Sequence, residues 1–331
     1  MPDPRYPAPE VSVVMPVHNG RPYLEQSVRS ILGQTLHEFE LVILENGSTD
    51  GSGAVLRRFA EREPRIRLFE TQSALGLTGS SNLAVSHARG GVIARMDADN
   101  VAHPRRLERQ LDVLERHPDA TLVGSLWEGI DAAGRRVRPR DRSRLTRPAT
   151  ESPFGHGTIA FPRRAFDAVG GYREPCEGWE DLDLLHRLGE IGRVFVITQA
   201  LNAVRFHMRS ATARMPVERA VRTSASKDRV VFERFPRMGK PRSKGDLTVD
   251  VLYTRESRRL WSGERPALLG QLAARGLVGR LRGRPWLLVW AAWGRVSPRS
   301  LRRAVRLWIR ARDLIAGRRL PDDESVEWRF G

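Results

Sequence analysis

One cysteine, Cys176, in 331 residues leaves no disulfide framework and no thiolate zinc site to be built. Lysine is almost missing: of 56 basic side chains only Lys227, Lys240 and Lys244 are not arginine. No stretch approaches the ~18 consecutive apolar residues of a membrane-spanning helix. Residues 1–10 are proline-rich and lack the apolar run of a signal peptide. These absences predict a cytoplasmic chain in a reducing compartment. At 40% apolar and 29% charged residues the composition is that of a globular protein with a buried core, which excludes disorder as the default.

The net charge of +17 is unevenly spread. Residues 1–236 hold 34 Lys+Arg against 30 Asp+Glu, a net of +4, and residues 237–331 hold 22 against 9, a net of +13. The excess therefore belongs to the C-terminal part. Residues 237–250, with Gly239, Pro241, Ser243 and Gly245, read as a linker between a domain over 1–236 and a basic, Trp/Arg-rich helical region over 251–331. There Trp286, Leu287, Leu288, Val289, Trp290 and Trp293 lie among arginines, which fits an amphipathic segment against an anionic membrane surface. No nucleic-acid-binding motif accompanies the charge, so nucleic acid is not the expected partner.

The first hundred residues alternate between short apolar, β-branched runs and helical periodicity. Val11–Met15, Leu41–Leu44, Ile66–Phe69 and Val92–Met96 read as buried strands. Leu24, Val28, Ile31 and Leu32 share a helical face, as do Val55, Leu56 and Phe59, and Leu107, Leu111 and Leu114. Helices are expected over 52–63, 82–88 and 104–117. This alternation predicts βαβ units, an α/β Rossmann-like domain with a mostly parallel central sheet and flanking helices. Arg135–Arg147, with seven arginines and one acid, reads as an exposed mobile loop. In open parallel sheets ligands bind beyond the carboxyl ends of the strands, and the polar clusters fall there.

Asp97-Ala98-Asp99 directly follows a strand, so both carboxylates can face the crevice. One can hold Mg²⁺ or Mn²⁺ together with substrate phosphates while the other takes a ribose hydroxyl. Glu45-Asn46-Gly47-Ser48-Thr49-Asp50 closes the second strand. Asn46 can read a base edge there, and Asp50 can cap the next helix. Glu177-Gly178-Trp179-Glu180-Asp181-Leu182-Asp183 gathers four acids and a tryptophan. A carboxylate among them can serve as a general base, Trp179 can offer a flat face to a sugar, and the acids also suit a helix start. His207 is a candidate metal ligand or diphosphate contact, and His156 a weaker candidate of the same kind.

The order of these pieces resembles glycosyltransferase family 2, the inverting group with the GT-A fold. Val11–Gly20 is similar to its opening strand and P-x-Y/H-N turn, and Phe39–Ser52 to its F-E-L-I-I-V-D-D-G-S-T-D-x-S element. Gly76-Leu77 through Asn82 and Met96–Asn100 resemble its G-L-x-x-A-R-N and D-x-D stretches. Val169–Tyr172 and Glu180–Leu184 resemble its G-G-Y and E-D-x-D-L elements. The resemblance covers about 200 of the 331 residues. It implies that Pro16, Val17, His18, Asn19, Glu45, Asn46 and Asn82 hold a nucleotide-sugar donor, with Asp97 near the ribose. It further implies Asp99 as ligand of a divalent metal, Asp181 as base, His207 at the metal or diphosphate, and a glycan or glycolipid acceptor in cell-surface polymer synthesis. Two positions depart from the pattern. Glu45-Asn46 stands where the family has an acidic pair, and Ser81 stands in place of an arginine. A sugar nucleotidyltransferase is the rival enzyme class, but Pro16–Gly20 is not the Gly-rich basic phosphate loop it would use. A non-catalytic nucleotide-sugar or membrane-binding module is the rival outside catalysis.

Overall fold

A computed structural model of the chain describes residues 9–138, 152–234 and 325–328, together with Leu247. The expected linker and nearly all of the basic region over 251–331 lie outside the described residues. The chain divides into two compact units. The first comprises residues 1–127, 142–204 and 320–331, and the second residues 128–141 and 205–319.

In the first unit the expected alternation takes shape as β1 (Val11–Val17), α1 (Leu24–Leu32), β2 (Phe39–Asn46), α2 (Ser52–Ala60), β3 (Ile66–Thr71), α3 (Gly76–His87) and β4 (Val92–Arg95). These four strands are parallel in the order β4-β1-β2-β3. β1 and β2 are buried along almost their whole length, which is why they read as continuous apolar runs rather than alternating ones. Val13, Met15, Leu41 and Ile43 pack with Leu24, Val28 and Ile31 of α1 in the core. Burying each such side chain contributes about 1.5–3 kcal/mol.

β1 runs through Pro16 to Val17, two residues beyond the end expected at Met15. The last β4 bond to β1 is Met96 N–H to the Val14 carbonyl. Successive residues of a strand turn their polar groups to opposite sides, so Pro16, like Val14, faces the β4 side. There pairing has already ended, and its missing N–H costs no ladder bond.

The chain then adds β5 (Val101–Ala102), α4 (Arg106–Arg116), β6 (Ala120–Ile130), β8 (Ala160–Pro162), α5 (Arg163–Ala168), α6 (Glu180–Ile191) and β9 (Arg193–Arg205). The strand order becomes β9-β6-β8-β4-β1-β2-β3. β8 runs antiparallel to β4, and β5 antiparallel to β9. The C-terminal region contributes a strand that helical reading did not expect: β10 (Ser325–Trp328) pairs antiparallel with Val194–Ile197 of β9. Arg193 donates to Glu327 at 3.0 Å beside it.

The second unit shows a further departure. Arg136–Arg138 is not loop but β7, antiparallel to Gly129 and Ile130 at the end of β6. Asp131 fixes that hairpin through the backbone N–H groups of Ala133 and Arg135 and the Arg135 guanidinium. Residues 139–147 of the expected loop lie outside the described residues. α7 (Ala211–Arg214) and α8 (Val217–Arg234) follow β9. Among the described residues no helix is long and apolar enough to cross a membrane.

At the amino ends of the parallel strands one buried carboxylate ties the sheet to its helices. Glu40 accepts from Ser12 Oγ at 2.6 Å and from the Arg89 N–H at 2.6 Å, and pairs with the guanidinium groups of Arg67 and Arg89. Burial pushes its carboxyl up, but the bonds from Ser12, Arg89 and Arg67 outweigh this and leave it below its ordinary value. A lowered acid contributes stability above the ordinary carboxylate range and loses it as pH falls through its own value. Glu40→Ala should lower unfolding stability by about 3 kcal/mol in urea titrations at neutral pH, since it removes the acceptor of the buried Ser12 hydroxyl and the Arg89 N–H together with two ion pairs. The deficit should shrink towards pH 3, and a loss that does not vary with pH would contradict this account.

Candidate active site

The carboxyl ends of β4, β1 and β2 lie side by side at one edge of the sheet. Here the loop after β1 is laced to the loop after β2. Asn19 adopts a left-handed backbone, φ 54°. Its N–H donates to Ser48 Oγ and its Oδ1 accepts from the Thr49 N–H at 2.8 Å. His18 Nδ1 lies 2.8 Å from the Asn46 carbonyl. Asp50 accepts from Arg21 N–H and from both the N–H and the hydroxyl of Ser52, so it secures the start of α2 from one residue before the cap. Pro16, Val17, His18 and Asn19 are thus held as one rigid lip.

Asn46 is 4% exposed, and its Oδ1 accepts from the Leu75 N–H at 2.9 Å and from Thr71 Oγ1 at 3.2 Å. The Glu45 carboxylate accepts from the Ser48 N–H at 2.6 Å. Both side chains therefore shape the loops around the crevice. A carboxylate in place of Asn46 could also accept from Leu75, but only the carboxamide brings N–H donors as well. Asn82 grips the Tyr172 peptide from both sides: Oδ1 accepts from its N–H and Nδ2 donates to its carbonyl, each at 2.9 Å. Gly171, at φ +69°, lies so close to Asn82 and Phe166 that a Cβ would collide with both. That grip accounts for the Gly-Gly-Tyr sequence.

After β4, Asp97 pairs with Arg95 and accepts from Asn100 Nδ2 at 2.9 Å. Its backbone carbonyl takes the Ser27 hydroxyl of α1. Gly157 packs on its carboxylate, and any side chain there would displace it. Asp99 is half-buried beside it. Beneath them Arg106 of α4 is wholly buried with carbonyls as partners, donating to Arg95 O at 2.6 Å and Ile159 O at 3.3 Å, while Gln110 donates to Thr158 O. Burial pushes the Arg106 guanidinium down to about 9, the Arg95 charge acting in the same direction.

The acidic cluster at the head of α6 separates into distinct roles. Asp183 is clamped by Arg173 and by Arg187, which also donates to the carbonyls of Val169 and Gly171. It is a structural anchor of the Gly-Gly turn and unsuited to take a proton. Trp179 is buried and offers no open face to a sugar. Glu180 is buried at 3% exposure, accepts from the Gly178 N–H at 2.6 Å and lies 3.7 Å from His156 Nδ1. His156 Nε2 is 2.7 Å from the Tyr172 hydroxyl. Asp181, next to Glu180, is half-buried.

Burial pushes the Glu180 carboxyl up to about 7, and the neighbouring Asp181 charge adds to this. Glu180 therefore keeps its proton to a higher pH than an exposed glutamate does. Burial, with Arg95 acting in the same direction, holds His156 well below its usual value, so it is neutral. Arg95, missed by the sequence reading, is buried at the end of β4 and pairs with Asp97. Its one sequence signal was a cation at the end of an otherwise apolar strand. His207 belongs to the second unit, where it is buried and its carbonyl accepts from Ser210 Oγ.

Comparison with known proteins agrees with this geometry. A profile of "Glycosyl transferase family 2" matches residues 12–170. The chain is 35% identical over 207 residues to the Bacillus subtilis (strain 168) protein described as "Putative glycosyltransferase EpsE", covering 60% of this chain and 73% of that protein. It is 29% identical over 190 residues to the Escherichia coli chondroitin synthase, but spans only 27% of that longer protein. Among solved structures, a mannosyltransferase from Pyrobaculum calidifontis in complex with GDP-Man and Mn²⁺ superposes with a TM-score of 0.57 at 22% identity, over 96% of this chain and 90% of that one. Staphylococcus aureus TarS 1-349 in complex with UDP-GlcNAc does so with a TM-score of 0.57 at 15% identity, over 77% and 74%. The fold is GT-A, and a glycosyltransferase is the class that fold and sequence define. Within that class the chain belongs to glycosyl transferase family 2.

The raised Glu180 carboxyl has a measurable consequence. Its stabilising contribution is complete below the ordinary glutamate value of 4.5 and is lost as pH rises through about 7. Glu180→Gln should match the wild type near pH 4 and exceed it by up to about 3 kcal/mol at pH 8 in urea unfolding. A stability difference that is flat with pH would refute the placement of this group.

Proposed function

We propose that the chain transfers a sugar from a nucleoside diphosphate sugar to an acceptor hydroxyl with inversion, in the assembly of a polysaccharide or related glycan. The observation that carries this reading is that one short turn meets both acidic groups: Gly157 packs on the Asp97 carboxylate beyond β4, and His156 Nδ1 lies 3.7 Å from Glu180 at the head of α6. The first group lies where nucleotides bind an open sheet, and the second offers a base a short distance away. The polysaccharide context rests on relatives described as chondroitin and hyaluronan synthases.

Asp181 takes the proton of the acceptor hydroxyl. The freed oxygen attacks the anomeric carbon from the side opposite the leaving group, and the bond to the diphosphate oxygen breaks with its electron pair. A single displacement of this kind inverts the anomeric centre. Glu180, protonated near neutrality, keeps a second negative charge away from Asp181 and the incoming oxygen. Pro16, Val17, His18, Asn19, Glu45 and Asn46 line the nucleotide side.

Among the described residues no three His, Cys, Asp or Glu side chains gather into a preformed metal cage. Asp97 pairs with Arg95 and accepts from Asn100, and Asp99 is the carboxylate that the D-x-D resemblance gives to the metal. That donor set suits Mn²⁺ or Mg²⁺, which bind through one or two carboxylates completed by substrate phosphates and water. When bound, the ion offsets the charge developing on the diphosphate.

With a panel of UDP-, GDP- and dTDP-sugars, the expected product is the nucleoside diphosphate and a glycoside of inverted configuration by proton NMR. Pyrophosphate release would favour a nucleotidyltransferase instead. Asp181→Asn should lower kcat by about 10²–10⁴-fold while donor binding by calorimetry holds. Near-normal turnover in that variant would defeat the base assignment and move it to Glu180.

A further inference from the structure

His156 is a buried titratable group that this mechanism leaves without a part. It opens the short turn over residues 156–158, just ahead of β8. Its two ring nitrogens face different neighbours. Nε2 lies 2.7 Å from the Tyr172 hydroxyl, and Nδ1 lies 3.7 Å from Glu180 Oε1. The other oxygen of that carboxyl, Oε2, accepts from the Gly178 N–H at 2.6 Å. Tyr172 meets the imidazole edge-on, with ring centroids 5.4 Å apart. Tyr172 is itself seated by the Asn82 carboxamide on its backbone and by Phe166 against its ring.

The backbone of the same turn is fixed as firmly. The Gly157 carbonyl accepts from Asn202 of β9 at 3.1 Å, and the Thr158 carbonyl from Gln110 of α4 at 2.7 Å. The Thr158 hydroxyl donates to the Gly155 carbonyl at 2.8 Å. Gly157 lies so close to Asp97 Oδ2 that a Cβ there would overlap it. By direct contact, then, one turn touches the donor-side carboxylate and the head of α6, and a tilt of the turn moves both.

A neutral imidazole has one N–H and one lone pair, and its neighbours decide which nitrogen carries the proton. His156 is neutral, because burial and the Arg95 charge both oppose its protonation. Burial raises the buried Tyr172 hydroxyl, which therefore keeps its proton. Among the described residues, His156 Nε2 is the acceptor within reach of that proton. A buried O–H is costly to leave unpaired, so the phenol donates and Nε2 accepts. That leaves the ring proton on Nδ1, the nitrogen turned to Glu180. Their 3.7 Å spacing is longer than a hydrogen bond. Contacts at catalytic groups commonly tighten from such a spacing when substrate binds, and an ionised carboxylate draws the N–H in. The charged and titratable groups around this contact are Glu180 and Asp181 from α6, Tyr172 from the turn that Asn82 grips, and Arg95 from the end of β4.

We propose that His156 is a positioning residue for the transfer reaction: Tyr172 fixes its ring as the Nδ1–H tautomer, which aims one donor at the Glu180 carboxyl and holds the head of α6 in register with Asp97, set by Gly157 beside it. This rests on the reading of Asp181, the neighbour of Glu180, as the base. His156 touches neither the reacting carbon nor the acceptor. It acts through Glu180.

The test is the tautomer of His156 in the full chain labelled with ¹⁵N-histidine, read from long-range ¹H–¹⁵N correlations. The wild type should show a neutral ring protonated on Nδ1. Tyr172→Phe removes the phenolic oxygen and should move that ring towards the Nε2–H form, a response that also identifies its signals. A wild-type ring protonated on Nε2, or no histidine that changes tautomer in Tyr172→Phe, overturns the proposal. Turnover and titration give the second readout. His156→Phe keeps a flat ring without a donor, so kcat should fall about 100-fold while the donor KM changes little. The Glu180 titration, followed by ¹³C NMR and assigned by its loss in Glu180→Gln, should rise by about one pH unit in that variant. His156→Asn returns a donor near the Nδ1 position and should bring the titration back towards wild type. A folded His156→Phe with either wild-type kcat or an unmoved titration overturns the proposal. Should His156→Phe fail to fold, the tautomer experiment decides alone, since it needs only the wild type and Tyr172→Phe. The tautomer is read without turnover. Failure of the base assignment, seen as full turnover in Asp181→Asn, is therefore distinct from failure here.

Discussion

A guanidinium removed from water costs several kcal/mol, and the crevice of this protein is organised around one that is so removed. Arg95 is tolerated because the Asp97 carboxylate, from the loop directly after its own strand, pairs with it. Each would itself be costly to bury alone. Arg106 directly below solves the same problem differently, with carbonyls and Gln110 as partners, and thereby pins the backbone on which Asp97 and Gly157 sit.

The two ends of the parallel strands use buried charge for opposite ends. At the amino ends Glu40 is saturated by a hydroxyl, a backbone N–H and two arginines, and its carboxyl is held low. At the carboxyl ends Glu180 has one backbone donor and a neighbouring acid, and its carboxyl is pushed high. The first arrangement locks one protonation state. The second leaves the proton movable near neutral pH, which proton-transfer chemistry needs and a structural site does not.

Much of this could be read from the chain beforehand. The runs at Val11, Leu41, Ile66 and Val92 and the stripes of α1 and α2 pointed to the parallel half, most clearly at β1 and β2, where burial on both faces leaves an unbroken apolar signature. Asp97-Ala98-Asp99 stood out because its acids directly follow an apolar strand, and Glu180-Asp181 because four acids and a tryptophan fall within seven residues. What stayed hidden was set by contacts between distant residues. Periodicity has no means of saying that Trp179 turns inward, that Asp183 is clamped by Arg173 and Arg187, or that Asn82 serves Tyr172 90 residues away. Arg95 looked like a strand residue. Its pairing with Asp97, and the support of its carbonyl by Arg106, became visible only in the folded chain. The strand Ser325–Trp328 was missed for a related reason, since four residues in a basic tail carry no alternation long enough to detect.

That short strand bears on how the protein reaches its native state. The pairing of β9 with β10 joins residues such as Arg193 and Glu327 that are 134 positions apart. Closing so long a loop is entropically slow, so this ladder is expected among the last to form. Until it does, β9 presents a row of unpaired backbone groups along an apolar stretch from Val194 to Ile197. An open edge of that kind templates pairing between chains. The C-terminal residues thus act as an intramolecular guard for the nascent sheet, a service to the folding chain separate from any part in sugar transfer.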